Sequence, residues 1–251
     1  MATLLPTYLY AASCIFVAAI VRGFSGFGFS LLAITAIALV MPPATIIPSI
    51  FLLEMLASLP LLPGVWHLVH WREIALLFAG ALVGTPFGVY ALAHAPVLPL
   101  TFALAAFVFV SAIALARGFR LQRMPGAGVA LAAGTASGLA NGAFGMGGPP
   151  VILFFFSSPA GVAAGRASLI TYFFLSDLIG VIWQGWNGLI NTATLARAAW
   201  FLPPLAAGVW LGNHRFKRAD ADVARRWVLR LLMLLAVLTG ARALFQLLSH
   251  H

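Results

Sequence analysis

From Tyr8 to Met41 the chain runs for 34 residues with one charged side chain, Arg22. A water-soluble helix cannot keep that composition, because one of its faces must meet solvent. The pattern recurs along most of the 251 residues: 63% are hydrophobic and 8% charged, against about 25% charged in an ordinary soluble domain. So little charge cannot clothe a water-facing surface. It excludes a cytosolic enzyme, a disordered protein and a soluble nucleic-acid binder. The excess of Lys and Arg over Asp and Glu, 14 to 5, does not restore the last class, because the basic residues are thinly spread among apolar runs. Backbone groups in lipid must be satisfied within the chain, so the expected class is an all-α integral membrane protein that crosses the bilayer several times.

The single cysteine, Cys14, cannot form an intrachain disulfide. The opening MATLLPTYLY has neither a positive n-region nor a clear small-residue cleavage site. It is expected to be mature sequence and not a signal peptide.

A full span needs about 20 apolar residues. The candidates are residues 45–62, 74–92, 97–116, 167–184, 195–212 and 228–248. Two further segments do not fit one straight helix. Residues 8–41 are interrupted by GFSGFGFS (Gly23–Ser30), and residues 127–156 by NGAFGMGGPP (Asn141–Pro150). Glycine disfavours helix and proline removes a donor, so both interruptions are expected to be non-helical.

Each interrupted segment could cross once as a bent helix or return as a re-entrant hairpin. If both cross once, Arg117, Arg120 and Arg123 fall opposite Arg215, Lys217, Arg218, Arg225 and Arg226. If both are hairpins, those eight charges share one face with Arg72 and Arg166. The opposite loops, around Ala44, His94–Pro96 and Trp186–Thr194, then carry no Lys or Arg. Basic loops stay cytoplasmic, so the second topology is expected: six spans, two hairpins and both termini periplasmic.

A weak internal duplication supports this division. Phe27-Gly28 pairs with Phe144-Gly145, Glu54 with Asp177, and Gly84 and Gly88 with Gly208 and Gly212. Residues 1–123 and 124–251 would then each hold one broken hairpin and three spans. Three is odd, so the halves would be inverted. Secondary transporters with inverted repeats bind substrate at the midplane, beside broken helices.

Non-helical backbone at membrane depth survives only inside protein or beside a wet cavity. Half-helices restarting after the breaks, near Phe29-Ser30 and Pro149-Pro150, would aim free amides and positive dipole ends at such a cavity. Ser30 is a plausible cap for the first. The expected ligand is a small anion, held by Arg22, Ser25, Gly26, Phe27, Gly28 and Ser30 from the first break and by Asn141, Gly142, Phe144, Gly145, Gly147 and Gly148 from the second. The bland alternative is that these glycines only permit close packing. No Gly-Lys-Ser/Thr follows either break, so neither is a phosphate loop.

Arg22 lies roughly 20 Å into its helix and needs a partner or water there. It either serves the anion site or pairs with Glu54. Glu54 and Asp177 lie mid-span, where acids are rare. Removal from water favours a neutral carboxyl group, so both are candidates for proton coupling or gating, or else structural partners of Arg22 and backbone amides. Ser137, Ser176 and Gln184 could line a path. Arg166 and Arg197 read as interfacial anchors, as do Trp66, Trp71, Trp186 and Trp227. Gly80, Gly84 and Gly88, like Gly208 and Gly212, read as close helix packing. His67 and His70 have ligand spacing but no third ligand nearby, so no metal is expected. The spans hold no nucleophile–base pair, so no enzyme activity and no cofactor are expected.

On RGFSGFGFSLLAI (Arg22–Ile34), SGLANGAFGMGGPPVILFFF (Ser137–Phe156) and the paired segments GTPFG (Gly84–Gly88) and GVWLG (Gly208–Gly212), the chain resembles the sulfite exporter TauE/SafE family, also called the four-toluene sulfonate uptake permease family. The resemblance implies an inner-membrane transporter for sulfite, sulfonates such as sulfoacetate, or related organic anions. Export is the usual assignment in the family and some members import. A passive anion channel and an importer of another small organic anion remain alternatives. The expected partners are the anion, protons as coupling ion and the lipid bilayer. The oligomeric state stays open, a homo-oligomer included.

Overall fold

A long apolar run in lipid folds as helix because each amide then finds a carbonyl on its own segment. The computed structural model of the protein describes residues 4–37, 40–41, 43–96, 124–156 and 161–216, together with single positions 103, 106, 107, 110, 113 and 245. The ordered elements among them are all helical. They are α1 (Leu4–Ser25), α2 (Phe29–Ile37), α3 (Pro43–Ser58), α4 (Leu62–Val65) with a 3-10 turn at Trp66–Leu68, α5 (Trp71–His94), α6 (Ala127–Phe144), α7 (Gly148–Phe156), α8 (Val162–Trp186) and α9 (Thr192–Phe216). The expected spans 97–116 and 228–248 fall largely outside the described residues. So do Arg117, Arg120, Arg123, Lys217, Arg218, Arg225, Arg226 and Trp227.

Pro6–Ser25, Trp71–His94 and Ala163–Trp186 are each long and apolar enough to cross a bilayer. A fourth crossing is available to Thr45–Ser58 with Leu62–Leu68, which meet at 53°. The chain is therefore a membrane protein with several apolar helices. The span expected at 45–62 ends earlier, at Ser58, and the chain turns through Leu59–Leu61. Pro60 and Pro63 cannot donate to a continuing ladder, which is why the helix bends here.

Two glycine-faced pairs hold the bundle. On α5, Gly80, Gly84 and Gly88 meet Gly134, Gly138 and Gly142 of α6. A Cβ on Gly84 would fall 2.8 Å from Leu139 N, and one on Gly138 would fall 2.7 Å from Ala81 Cα. On α9, Gly208 and Gly212 meet α1, where Gly23 answers them: its Cβ would sit 2.9 Å from Asn213 N. Small residues let backbones touch where lipid offers no hydrophobic drive. The opposite side of α5 shows Val83, Phe87 and Tyr90 outward, as a lipid-facing surface requires. Each broken helix is thus clasped by a helix from the other half of the sequence, α6 by α5 and α1 by α9. The long helix α8 runs through the middle, against α3, α5 and α7.

Candidate functional site

Both interruptions are real but short. The first is Gly26–Gly28 and the second Gly145–Gly147, three residues each. Gly23–Ser25 and Asn141–Phe144, expected to be non-helical, instead complete the last turns of α1 and α6. One local device makes both stops. Gly26 (φ 80) and Gly145 (φ 67) adopt the left-handed conformation, and their amides close back onto Arg22 O (2.8 Å) and Asn141 O (2.7 Å). This is the left-handed C-cap that glycine supports without steric penalty. Aligned on these glycines, Arg22 corresponds to Asn141 and Gly23 to Gly142. The sequence pairing of Phe27-Gly28 with Phe144-Gly145 is therefore two residues out of step.

Beyond the first break the chain doubles back: Tyr10 near the start of α1 donates to Ala36 O near the end of α2 (3.3 Å). α1 itself, 22 residues or about 33 Å, is long enough to cross alone, so the first limb is more than a short re-entrant stub. Ser25 Oγ ties down the turn, lying 2.7 Å from Val21 O and 2.8 Å from Phe27 O and accepting from Phe27 N.

Arg22 is fully buried. One guanidinium nitrogen donates to Gly26 O and lies 3.6 Å from Glu54 Oε1. The other donates to Ser58 Oγ at 2.7 Å, and the group sits over the Phe173 ring, 5.0 Å from its centre. Glu54 Oε2 in turn accepts the Ser30 hydroxyl. Ser30 is therefore not the cap expected of it. It lies one residue inside α2, and its hydroxyl donates to Glu54.

The second break repeats the logic without a cation. Asn141 Nδ2 donates to Asp177 Oδ1 (2.9 Å) and to Ser176 Oγ (3.2 Å), while its Oδ1 accepts Gly147 N (3.3 Å). The Ser137 hydroxyl donates to Gly147 O. Asp177 is buried, and its Oδ2 has no hydrogen-bond partner among the described residues; the same holds for the Gln184 amide.

The restarting helices converge. Gly28, Ser30 and Leu31 from the first break and Met146, Gly148, Pro149 and Ile152 from the second line one small cavity of about 20 Å³, with Glu54 and Phe173 completing the wall. Phe173 is the twelfth residue of the 25-residue α8, so the cavity lies near mid-depth of that helix. The first-turn amides of α2 have no partners inside their own helix, and α7 offers that of Gly148 before its two prolines; the dipole of each helix start favours an anion. Pro149 and Pro150 occupy the first turn of α7, as expected where missing N–H groups cost nothing.

Of the residues proposed from sequence, Gly28, Ser30, Gly148 and Glu54 line the cavity. Arg22 stands one contact behind them, through Glu54. Ser25, Gly26, Phe27, Asn141, Gly145 and Gly147 build the turns. Gly142 and Phe144 face elsewhere. Gly142 lies against α5, where its Cβ would fall 2.7 Å from Val89 N, and the Phe144 ring meets Phe107 at 6.0 Å. Arg166 is not an interfacial anchor. It is buried and donates to Phe24 O (3.0 Å), Gly23 O (2.6 Å) and Asn213 Oδ1 (3.1 Å), with Phe216 under its guanidinium at 4.1 Å. It satisfies last-turn carbonyls of α1, a favourable place for a cation. Arg197 is half-buried and reaches Ser49 Oγ at 3.4 Å. Ser58 and Phe173 were missed from sequence. Ser58 carried a signal, lying one helical turn after Glu54; Phe173 carried none among 20 phenylalanines.

The described geometry has its counterpart in sequence comparison. The signature described as sulfite exporter TauE/SafE matches residues 11–239. The chain belongs to this family. Among curated proteins, a probable sulfite/organosulfonate exporter TauE from Cupriavidus necator is 27% identical over 198 residues, covering 77% of each chain. No solved structure matches. A TauE/SafE member is a transporter by family, and a cavity framed by two helix starts suits that class.

Proposed function

We propose that this chain is a secondary transporter that moves sulfite or an organosulfonate such as sulfoacetate out of the cell across the inner membrane. The observation that carries this reading is the convergence of two half-helix starts, at Phe29–Leu31 and Gly148–Pro150, on one mid-depth cavity. A pyramidal or tetrahedral oxyanion matches the donors of such a seat, because it accepts from several directions at once. The family match and the name of the Cupriavidus necator relative supply the sulfur chemistry.

In this reading Ser30, Gly28 and Gly148 present amides and a hydroxyl to the anion, and Arg22 supplies the compensating charge. Ser25, Gly26, Phe27, Asn141, Gly145 and Gly147 hold the two turns open, and Glu54 and Asp177 carry the coupling proton. The halves 1–123 and 124–251 are inverted repeats with six spans and two hairpins, basic loops in the cytoplasm and both termini in the periplasm. Rocking of one repeat against the other alternates access to the seat.

The test is flux into or out of proteoliposomes. Sulfite or sulfoacetate flux that saturates and responds to an imposed pH gradient supports a carrier; unsaturable flux indifferent to that gradient would make it a channel. Asn141→Leu, folded as judged by its elution profile, is expected to lose most of the flux. Undiminished flux would remove Asn141 from the site.

A further inference from the structure

The groups that would hold an anion are already engaged by a carboxylate of the chain itself. Glu54 accepts the hydroxyl of Ser30 in the first turn of α2 and faces Arg22 at 3.6 Å. It also lines the cavity beside Gly28, Gly148 and Pro149. A carboxylate and the oxyanion head of sulfite or a sulfonate present the same chemistry: delocalised negative charge on oxygens that accept hydrogen bonds.

We propose that Glu54 is a tethered occupant of the anion seat, and that the transported oxyanion enters only as Glu54 takes up a proton and yields its place beside Arg22 and Ser30. This rests on the transporter reading above and adds the identity of the group that competes with substrate.

Charge balance supports it. Arg22 comes from α1, Glu54 from α3 and Asp177 from α8, while the cavity-lining residues of α2 and α7 carry no ionisable side chain. That makes one cation against two acids. The other buried cation among the described residues, Arg166, turns to Gly23 O, Phe24 O and Asn213. An anion added to this set would face two carboxylates and share one guanidinium, and like charges at close range in a poorly solvated core repel strongly. A proton on Glu54 removes the carboxylate charge that lines the cavity and frees Arg22. The proton and the anion then travel together.

Titration calorimetry of the purified full-length protein with sulfoacetate, whose charge is constant from mildly acidic to mildly alkaline conditions, tests this. Wild type is expected to bind more weakly as pH rises, by about tenfold per pH unit on the alkaline limb, as linked uptake of one proton requires. Glu54→Gln, neutral and of the same shape, is expected to bind at least as tightly and with a flat profile. Binding by wild type that ignores pH, or Glu54→Gln that loses affinity and keeps the pH slope, overturns the proposal while leaving the transporter reading intact. Absence of binding by wild type to both sulfite and sulfoacetate overturns the transporter reading and the proposal with it.

A second readout does not depend on the variant's folding. The chain has two glutamates, Glu54 and Glu73, so carbon-13 labelling of glutamate isolates them in a substrate-induced infrared difference spectrum. A labelled protonated-carboxyl band appearing on addition of sulfoacetate is expected in wild type and in Glu73→Gln. Its absence overturns the proposal.

Discussion

Arg22 and Glu54 face each other at 3.6 Å in a core that solvent scarcely reaches. Each comes from a different helix, α1 and α3, and each has a further side-chain hydrogen-bond partner, Ser58 for the arginine and Ser30 for the acid. The pair therefore ties the last turn before the first break to the first turn after it. Buried pairs of this kind are sensitive to loss of one member and tolerant of loss of both.

Arg22→Met is accordingly expected to destabilise the protein by about 3–5 kcal/mol, because it leaves a buried carboxylate without its cation. The double variant Arg22→Met with Glu54→Gln should recover most of that loss. Thermal unfolding in detergent, followed by intrinsic fluorescence, measures both. Equal destabilisation of the single and double variants would mean that the ion pair does not hold this turn.

The α5–α6 contact makes a sharper steric prediction. Gly84→Ala places a methyl group 2.8 Å from Leu139 N, and backbone cannot move aside as a flexible side chain can. Overpacking of this sort costs about 1–3 kcal/mol. Gly128→Ala, in the first turn of α6 with nothing within 4 Å, should leave stability near wild type. The melting temperature should therefore fall for Gly84→Ala and not for Gly128→Ala.

The breaks themselves can be tested through their left-handed glycines. Gly145→Ala combines a φ of 67° with a methyl group 2.7 Å from Ile34 Cδ1, and Gly26→Ala combines a φ of 80° with one 2.8 Å from Arg166 Cγ. A left-handed non-glycine residue costs roughly 1–2 kcal/mol before any clash. Both variants are expected to lower the melting temperature, whereas Gly185→Ala, in open space, should leave it near wild type.

The two breaks were legible in the sequence because glycine and proline act locally: a cluster of them disrupts the ladder wherever the rest of the chain lies. Their true extent was not. Only the left-handed glycine and its two successors leave the helix, and the flanking glycines stay helical because neighbouring backbones pack on them, as at Gly23 and Gly142. The burial cost of Arg22, Glu54 and Asp177 marked them as a set, and Arg22 did find Glu54. What could not be read were relations between helices. Arg166 looked like an anchor because its own helix says nothing of Gly23 and Phe24 across the interface. Gly134 and Gly138 show the four-residue spacing that could have identified them as the partners of Gly80 and Gly84. Phe173 becomes a cavity wall only when α8 is seated between both breaks.

The cavity between the breaks as an anion seat is tested most directly by protected labelling. Cys14 is the single cysteine, so Cys14→Ser with Ile152→Cys leaves one thiol, on the cavity wall. Its reaction with an anionic methanethiosulfonate bearing a sulfonate should outpace reaction with the trimethylammonium counterpart, and sulfoacetate should slow it. Faster reaction with the cationic reagent, or no protection by sulfoacetate, would contradict an anion seat at this cavity.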